Sequence, residues 1–241
     1  MTLSKEAIQQ IQETAIQPFE RVVVEDGRTF VIDKDGIAFE IDRRRVQSVV
    51  LSTLTSMVDF IKNLDFYTEE KLYLNIEGPQ EVNLYSSLQS DNKRDTLAHV
   101  KAITPAIDFD RFKLAEDMVI ELQAKFLPTD DRDLLLQVLG NLKEENVKNL
   151  GDDGVSQSVT IKKGVASLQD VKVPNPVSLA PFRTFHEVKQ PESPFIFRMK
   201  EGGLGALFEA DARAWKIDAI QNIKAFFEEQ LEGMEQIIIL A

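Results

Sequence analysis

Cysteine is absent from all 241 residues. That absence rules out disulfides, thiolate nucleophiles, iron–sulfur clusters and cysteine-ligated zinc, and it suits a reducing compartment. Histidine is nearly absent too: the chain has 2, His99 and His186. A histidine-rich metal site is therefore impossible, and any serine–histidine chemistry must use one of them. His186 stands in Arg183-Thr184-Phe185-His186-Glu187, with Ser178 and Ser193 nearby in sequence but no nucleophile-elbow spacing. It reads as a partly exposed strand residue. No apolar run approaches the ~20 residues of a membrane-spanning helix, and Met1-Thr2-Leu3-Ser4-Lys5-Glu6 lacks the apolar core of a secretory leader. Gly202-Gly203-Leu204-Gly205 lacks the Lys-Ser/Thr of a phosphate-binding loop and follows no strand-to-helix dinucleotide pattern, which removes kinase and nucleotide-hydrolase readings. Bases are outnumbered, 28 against 40 acids, for a formal charge of −12. Such a surface repels duplex DNA and anionic membranes at long range. The aromatic–basic pairs Phe182-Arg183 and Phe197-Arg198 read as core and rim, not as a base-stacking platform. These shortages lead us to expect a cytoplasmic protein with no cofactor and no membrane partner, to which nucleic acid is disfavoured by charge.

What is present is ordinary globular material: 43% hydrophobic and 28% charged residues, in a chain long enough to bury a core without a metal or disulfide staple. Residues 3–16 have helical spacing with Ser4 as N-cap, and Pro18 ends them. Three strands follow at 19–24, 28–32 and 37–41, joined by turns carrying Asp26-Gly27 and Asp35-Gly36. Val46, Val50, Leu54, Met57, Ile61 and Leu64 recur every three or four residues, which predicts a long helix over 44–64 capped by Asp42. The same stripe offers a helix–helix dimer seam. Leu72, Leu74 and Ile76 alternate with Tyr73, Asn75 and Glu77, and Val82 and Leu84 resume after Gly78-Pro79-Gln80, the pattern of a hairpin.

Residues 95–103 read as a strand, 112–127 as a helix ended by Pro128, and a further helix starts at Asp130 or Asp131. Gly151-Asp152-Asp153-Gly154 reads as a turn before an alternating strand at 155–161. The proline-rich stretch 174–194 should be extended and broken into short pieces. Phe195, Phe197 and Met199 alternate as a strand, Asp211 caps a helix over 212–231, and the apolar residues 237–240 should pair inside a sheet. The expected fold is α+β: antiparallel sheets packed against three main helices, 44–64, 112–127 and 212–231, in one compact two-lobed unit. The lobes would be 1–105 and 106–241.

Two charge clusters invite function. Arg43, Arg44 and Arg45 begin the expected helix, where cations oppose the local dipole. Either they pair internally with acids such as Glu40 and Asp42, or they meet an anionic partner. Asp130, Asp131 and Asp133, followed by Asp152 and Asp153, supply the convergent carboxylates a hard divalent metal needs. Helix capping and turn chemistry account for the same residues.

Val173-Pro174-Asn175-Pro176, Pro181-Phe182-Arg183-Thr184-Phe185, Gln190-Pro191-Glu192-Ser193-Pro194-Phe195 and Ala206-Leu207-Phe208-Glu209-Ala210-Asp211 with Trp215 together resemble a family of uncharacterised tailed-phage and prophage proteins, including the prophage YfdQ type. The resemblance runs from about residue 45 to the end. It implies a phage-encoded protein made in the bacterial cytoplasm, and it carries no catalytic residues. The expected function is non-enzymatic, through contact with a host or phage protein or through self-assembly as a homo-oligomer. Two alternatives stay open: a metal-dependent enzyme or accessory factor in phage nucleic-acid metabolism, using Asp130, Asp131, Asp152 or Asp153, and a virion or scaffold component.

Overall fold

The computed structural model describes residues 5, 9–10, 22–25, 28–32, 36, 38–41, 46–64, 70–89, 92–141, 151–152, 157–163, 167–200 and 202–241. The chain first forms an antiparallel meander, β1 (Val22–Glu25), β2 (Arg28–Ile32) and β3 (Ala38–Ile41), in that spatial order. The Asp-Gly turns announced it.

A strand and a helix then replace the long helix expected over 44–64. Val49–Leu51 is β4, and only Leu54–Lys62 is helical (α1). The reasons are local and distant. Thr53 is extended and its hydroxyl accepts the Ser56 N–H, which starts the helix there. The β-branched pair Val49-Val50 suits the extended chain and pairs in parallel with Ala98 and His99. Val46 and Val50, expected on the buried stripe, are exposed. Leu54, Met57, Val58 and Ile61 keep the helical stripe and are buried.

β5 (Leu72–Gly78), β6 (Glu81–Tyr85) and β7 (Thr96–Lys101) form antiparallel neighbours. Chain-terminal β15 (Ile237–Leu240) joins them in parallel on β5, giving a five-stranded sheet in the order β15-β5-β6-β7-β4. Two parallel pairs thus correct the expectation of purely antiparallel sheets, and β15 lies at an edge instead of inside. α1 and the last helix, α4 (Trp215–Gln230), lie on one face of this sheet. Leu54, Met57, Ile61, Ile223 and Phe227 are buried there against Leu72, Leu74, Val82, Leu84, Ala98 and Val100.

The second core is built from β8 (Lys113–Leu114), α2 (Ala115–Lys125), α3 (Asp130–Gly140), β12 (Val177–Leu179), β13 (Ser193–Lys200) and β14 (Leu204–Glu209). The strands run β12-β13-β14-β8, and Phe195, Phe197 and Leu207 meet Met118, Leu122, Phe126 and Leu135. Gly205 lies so close to this contact that a Cβ would come within 2.8 Å of the Met118 sulfur. Between these elements, β9 (Gly151–Asp152), where a turn was expected, joins β10 (Gln157–Lys163) and β11 (Ser167–Val173) in a three-stranded sheet.

The chain is α+β, with four helices among the described residues from Leu54 on, α3 being the further helix expected to start at Asp130 or Asp131. α4 and β15, late in the chain, pack with the first core.

Candidate binding surface

Because side chains alternate along a strand, the residues between the buried ones of β5, β6 and β7 all point to the face of the five-stranded sheet away from α1 and α4. Register makes them rows. Leu240, Asn75, Asn83, His99 and Val50 lie side by side across the five strands, and Ile238, Tyr73, Tyr85 and Thr96 form a second row across four of them. Of the other described helices from Leu54 on, α2 and α3 bury their apolar residues in the second core.

The centre of this face is hydrogen-bonded. Asn83 is only 6% exposed, and its Oδ1 lies 2.6 Å from His99 Nδ1. With that oxygen accepting, the ring donates from Nδ1. Glu81 Oε1 is 3.6 Å from the same nitrogen. Tyr85 donates to Glu77 Oε1 at 2.9 Å; burial, then the Glu77 hydrogen bond and charge, push its phenol above the ordinary value. The Arg94 guanidinium lies 4.2 Å over the Tyr73 ring and donates to the Ser86 carbonyl at 2.8 Å. At the periphery the face turns apolar, with Val50 78% and Leu240 43% exposed. The surface therefore combines fixed amide and imidazole groups, two tyrosine rings and aliphatic edges, a composition that suits contact with another macromolecule.

The residues that carry the phage-family resemblance meet elsewhere, at the junction of the two cores. Arg183, 5% exposed, places Nη1 3.0 Å from Glu209 Oε1, donates from Nη2 to Ser193 Oγ, and lies 4.0 Å over the Trp215 ring. Trp215 Nε1 donates to the same Glu209 oxygen at 3.1 Å. Gln190 Oε1 accepts the N–H groups of Arg183 and Thr184, and its amide donates to the Phe185 carbonyl at 2.8 Å. Gln80 donates to the Arg183 carbonyl at 3.1 Å, and the Thr184 hydroxyl donates to the Pro79 carbonyl. Phe185 is buried in the first core and Phe195 in the second, so this segment laces the cores together.

Burial lowers the Arg183 pKa to about 10, against the opposing pull of Glu209 and Asp211. The group remains a cation at neutral pH, and its Nε is buried without a hydrogen-bond partner among the described residues. Asp211 accepts the N–H groups of Arg213 and Trp215, holding Ala212 and Arg213 at φ 50 and 67 before α4. An enclosed, stacked and paired guanidinium holds structure and is closed to a ligand. No spacing in the sequence marks Glu209, Gln190 and Ser193 as its partners.

Asp131 accepts the Ser178 N–H at 2.6 Å and so ties α3 to β12, while Asp130 is exposed in the first turn behind the Thr129 cap. Among the described residues no three or more potential ligand groups gather as a metal site would require. The Asp152 side chain, Asp153 and the cluster Arg43, Arg44 and Arg45 lie outside the described residues. His186 is exposed in a turn, its ring 5.2 Å from that of Phe182. A second charged cluster lines a cleft of about 370 Å³ beside α2. There Glu121 accepts from Lys113 and, at 3.1 Å, from Lys125; burial raises its pKa, but the two lysines outweigh burial and hold it below the ordinary carboxylate value.

The alternation of Tyr73, Asn75 and Glu77 was legible in the sequence as a solvent face. Its extension through Asn83, His99 and Val50 was not, because it depends on which strands pair. No family model, curated protein or solved structure matches the chain. No helix among the described residues is long and apolar enough to cross a membrane.

Proposed function

We propose that this is a phage-encoded protein of the bacterial cytoplasm that works through contacts with a host or phage protein and with itself, without catalysis. The observation that carries the reading is the face of the five-stranded sheet opposite α1 and α4, where hydrogen-bonded polar groups and two tyrosines lie between exposed Val50 and Leu240 at its edges. Preorganised groups lose little freedom on binding, which favours recognition. The enclosed Arg183–Glu209–Trp215 cluster supports the same reading, since its polar atoms are committed to joining the cores. The resemblance over 173–215 supports the phage origin.

The test is affinity capture of the tagged full chain from infected bacteria, with nuclease treatment, beside the Tyr73→Ala/His99→Ala variant. We expect a partner near equal amount that survives nuclease and is lost from the variant. Retention by the variant overturns the assignment to this face. A magnesium-dependent rise in melting temperature removed by Asp130→Asn/Asp131→Asn would favour a metal-dependent enzyme instead, and abundant copies in purified particles would favour a virion component.

A further inference from the structure

The face of the five-stranded sheet away from α1 and α4 is unevenly charged along its strands. At one end the exposed Arg94 guanidinium lies 4.2 Å over the Tyr73 ring of β5 and donates to the Ser86 carbonyl just beyond β6. It therefore spans the columns of these two strands. At the other end the same two columns carry carboxylates. Glu77 accepts from the Tyr85 hydroxyl at 2.9 Å and the Asn75 amide at 3.5 Å, and Glu81 lies 3.6 Å from His99 Nδ1, so both stand on this face. Like charges on neighbouring strands repel, and a cation arriving between them would relieve that cost. Between the two ends runs the row of Leu240, Asn75, Asn83, His99 and Val50. Tyr73, beneath Arg94, and Glu77 flank Asn75 at equal spacing along β5, roughly 7 Å to either side of the row.

Opposite charges equally spaced about a central row make the face complementary to itself. A half-turn about an axis along that row sets a second copy face to face with the first. Each residue keeps its column and exchanges ends, so Arg94 of one copy meets Glu77 and Glu81 of the other, twice over. Residues on the row meet themselves: Val50, 78% exposed, covers Val50, and Leu240, 43% exposed, covers Leu240. Lys101, the cation at the acidic end, stands in the column of β7 and meets Thr96. A half-turn about an axis along β6 opposes Glu77 to Lys101, but it also stacks Glu81 on Glu81 and gathers both Arg94 side chains at one end. Charge therefore selects the axis along the row. Aligned packing keeps the strands of two twisted sheets within about 30° of each other, which preserves this matching of ends. The contact is isologous and closes at two copies.

We propose that two copies of this chain bind face to face through the five-stranded sheet, about a two-fold axis along Asn75, Asn83 and His99, with Arg94 of each copy between Glu77 and Glu81 of the other. This rests on the reading of that face as a contact surface, and it names the occupant: a second copy of the chain.

The symmetry allows a test in trans. Arg94→Glu alone and Glu77→Arg alone each oppose like charges at both contacts, and sedimentation should show self-association weakened about tenfold or more by either. Mixing the two variants should restore it, because the mixed dimer regains opposite charges at both contacts. Damage within one chain is not repaired by another, so restoration identifies a contact between copies. In the cysteine-free background, Val50→Cys chains should join one another through a short bismaleimide able to bridge the ~10 Å between packed sheets, and Leu240→Cys chains likewise. A mixture of Val50→Cys and Leu240→Cys chains should give no link between the two positions. A monomeric mass at high concentration overturns the proposal, as does a dimer that mixing fails to restore or one that joins position 50 to position 240. A monomer that still captures a host or phage protein, lost on Tyr73→Ala/His99→Ala, leaves the face as a contact surface with a different occupant. A monomer that captures nothing sinks both readings.

Discussion

The five-stranded sheet and the N-terminal meander are written in the same sequence language, β-branched and alternating residues between turn signals, yet they end in opposite states. In the five-stranded sheet, Leu74, Val82, Leu84, Ala98 and Val100 are inaccessible beneath α1 and α4. In the meander, Val22, Val23 and Val24 stand open. Alternation thus tells which residues share a face, but what covers that face is decided by elements far away in sequence. Here α4 lies more than a hundred residues beyond the strands it covers. The difference separates a region whose apolar residues are covered from one whose valines are exposed.

The largest expected effect comes from unlacing the first sheet from its neighbour. Arg183→Ala removes the cation from an enclosed pair and leaves Glu209 with the Trp215 N–H as its remaining side-chain donor. We expect a loss of roughly 3–5 kcal/mol and denaturant transitions of the two cores that no longer coincide, followed by Trp215 fluorescence and circular dichroism. A loss under about 1 kcal/mol would mean that the junction is not what joins them.

Next in size is a matched pair of truncations. Leu84→Ala, in the middle of the five-stranded sheet, should cost about 2–5 kcal/mol. Val24→Ala, 68% exposed, should change the stability of the dilute protein by no more than about 0.5 kcal/mol. Equal costs would break the comparison, because they would place β1 in a buried core.

The smallest effect concerns pH. Glu121 is held below its ordinary pKa despite burial, through Lys113 and Lys125. Its folded value lies under its unfolded value, so the unfolded chain binds more protons in the window between them. The stabilisation is therefore present above the ordinary carboxylate pKa and fades as pH falls through the depressed one. Glu121→Gln should flatten the acid limb of a stability-against-pH curve without altering its neutral plateau by more than the lost charge interaction. An unchanged acid limb would show that the lysines do not hold the group.

Much of the architecture was legible in the sequence. The meander, the hairpin of β5 and β6, strand β7 and the last helix follow from alternation, turn residues and helical spacing, although the last helix starts at Trp215 with Ala214, not Asp211, at its N-cap. The helix expected over 44–64 shows where such reading stops. Val46 and Val50 continue the spacing of Leu54, Met57 and Ile61 by coincidence, while the parallel partner that draws Val49–Leu51 into the sheet is β7, remote in sequence. Thr53 was the available signal for the true helix start. The candidate face was half legible for the same reason. Its Tyr73-Asn75-Glu77 side shows in the alternation, but the row through Asn83, His99 and Val50 needs the strand order. Arg183 was read as a rim residue because its partners, Gln190, Ser193, Glu209 and Trp215, converge only on folding.

The contrast between the two sheets is tested most directly by amide hydrogen exchange at increasing protein concentration. We expect Leu72–Gly78, Glu81–Tyr85 and Thr96–Lys101 to exchange slowly at every concentration, as an internally stabilised core does. The amides of Val22–Glu25 that point away from β2 should exchange fast in the dilute protein. Protection of β1 that matches the five-stranded sheet at every concentration would contradict the account.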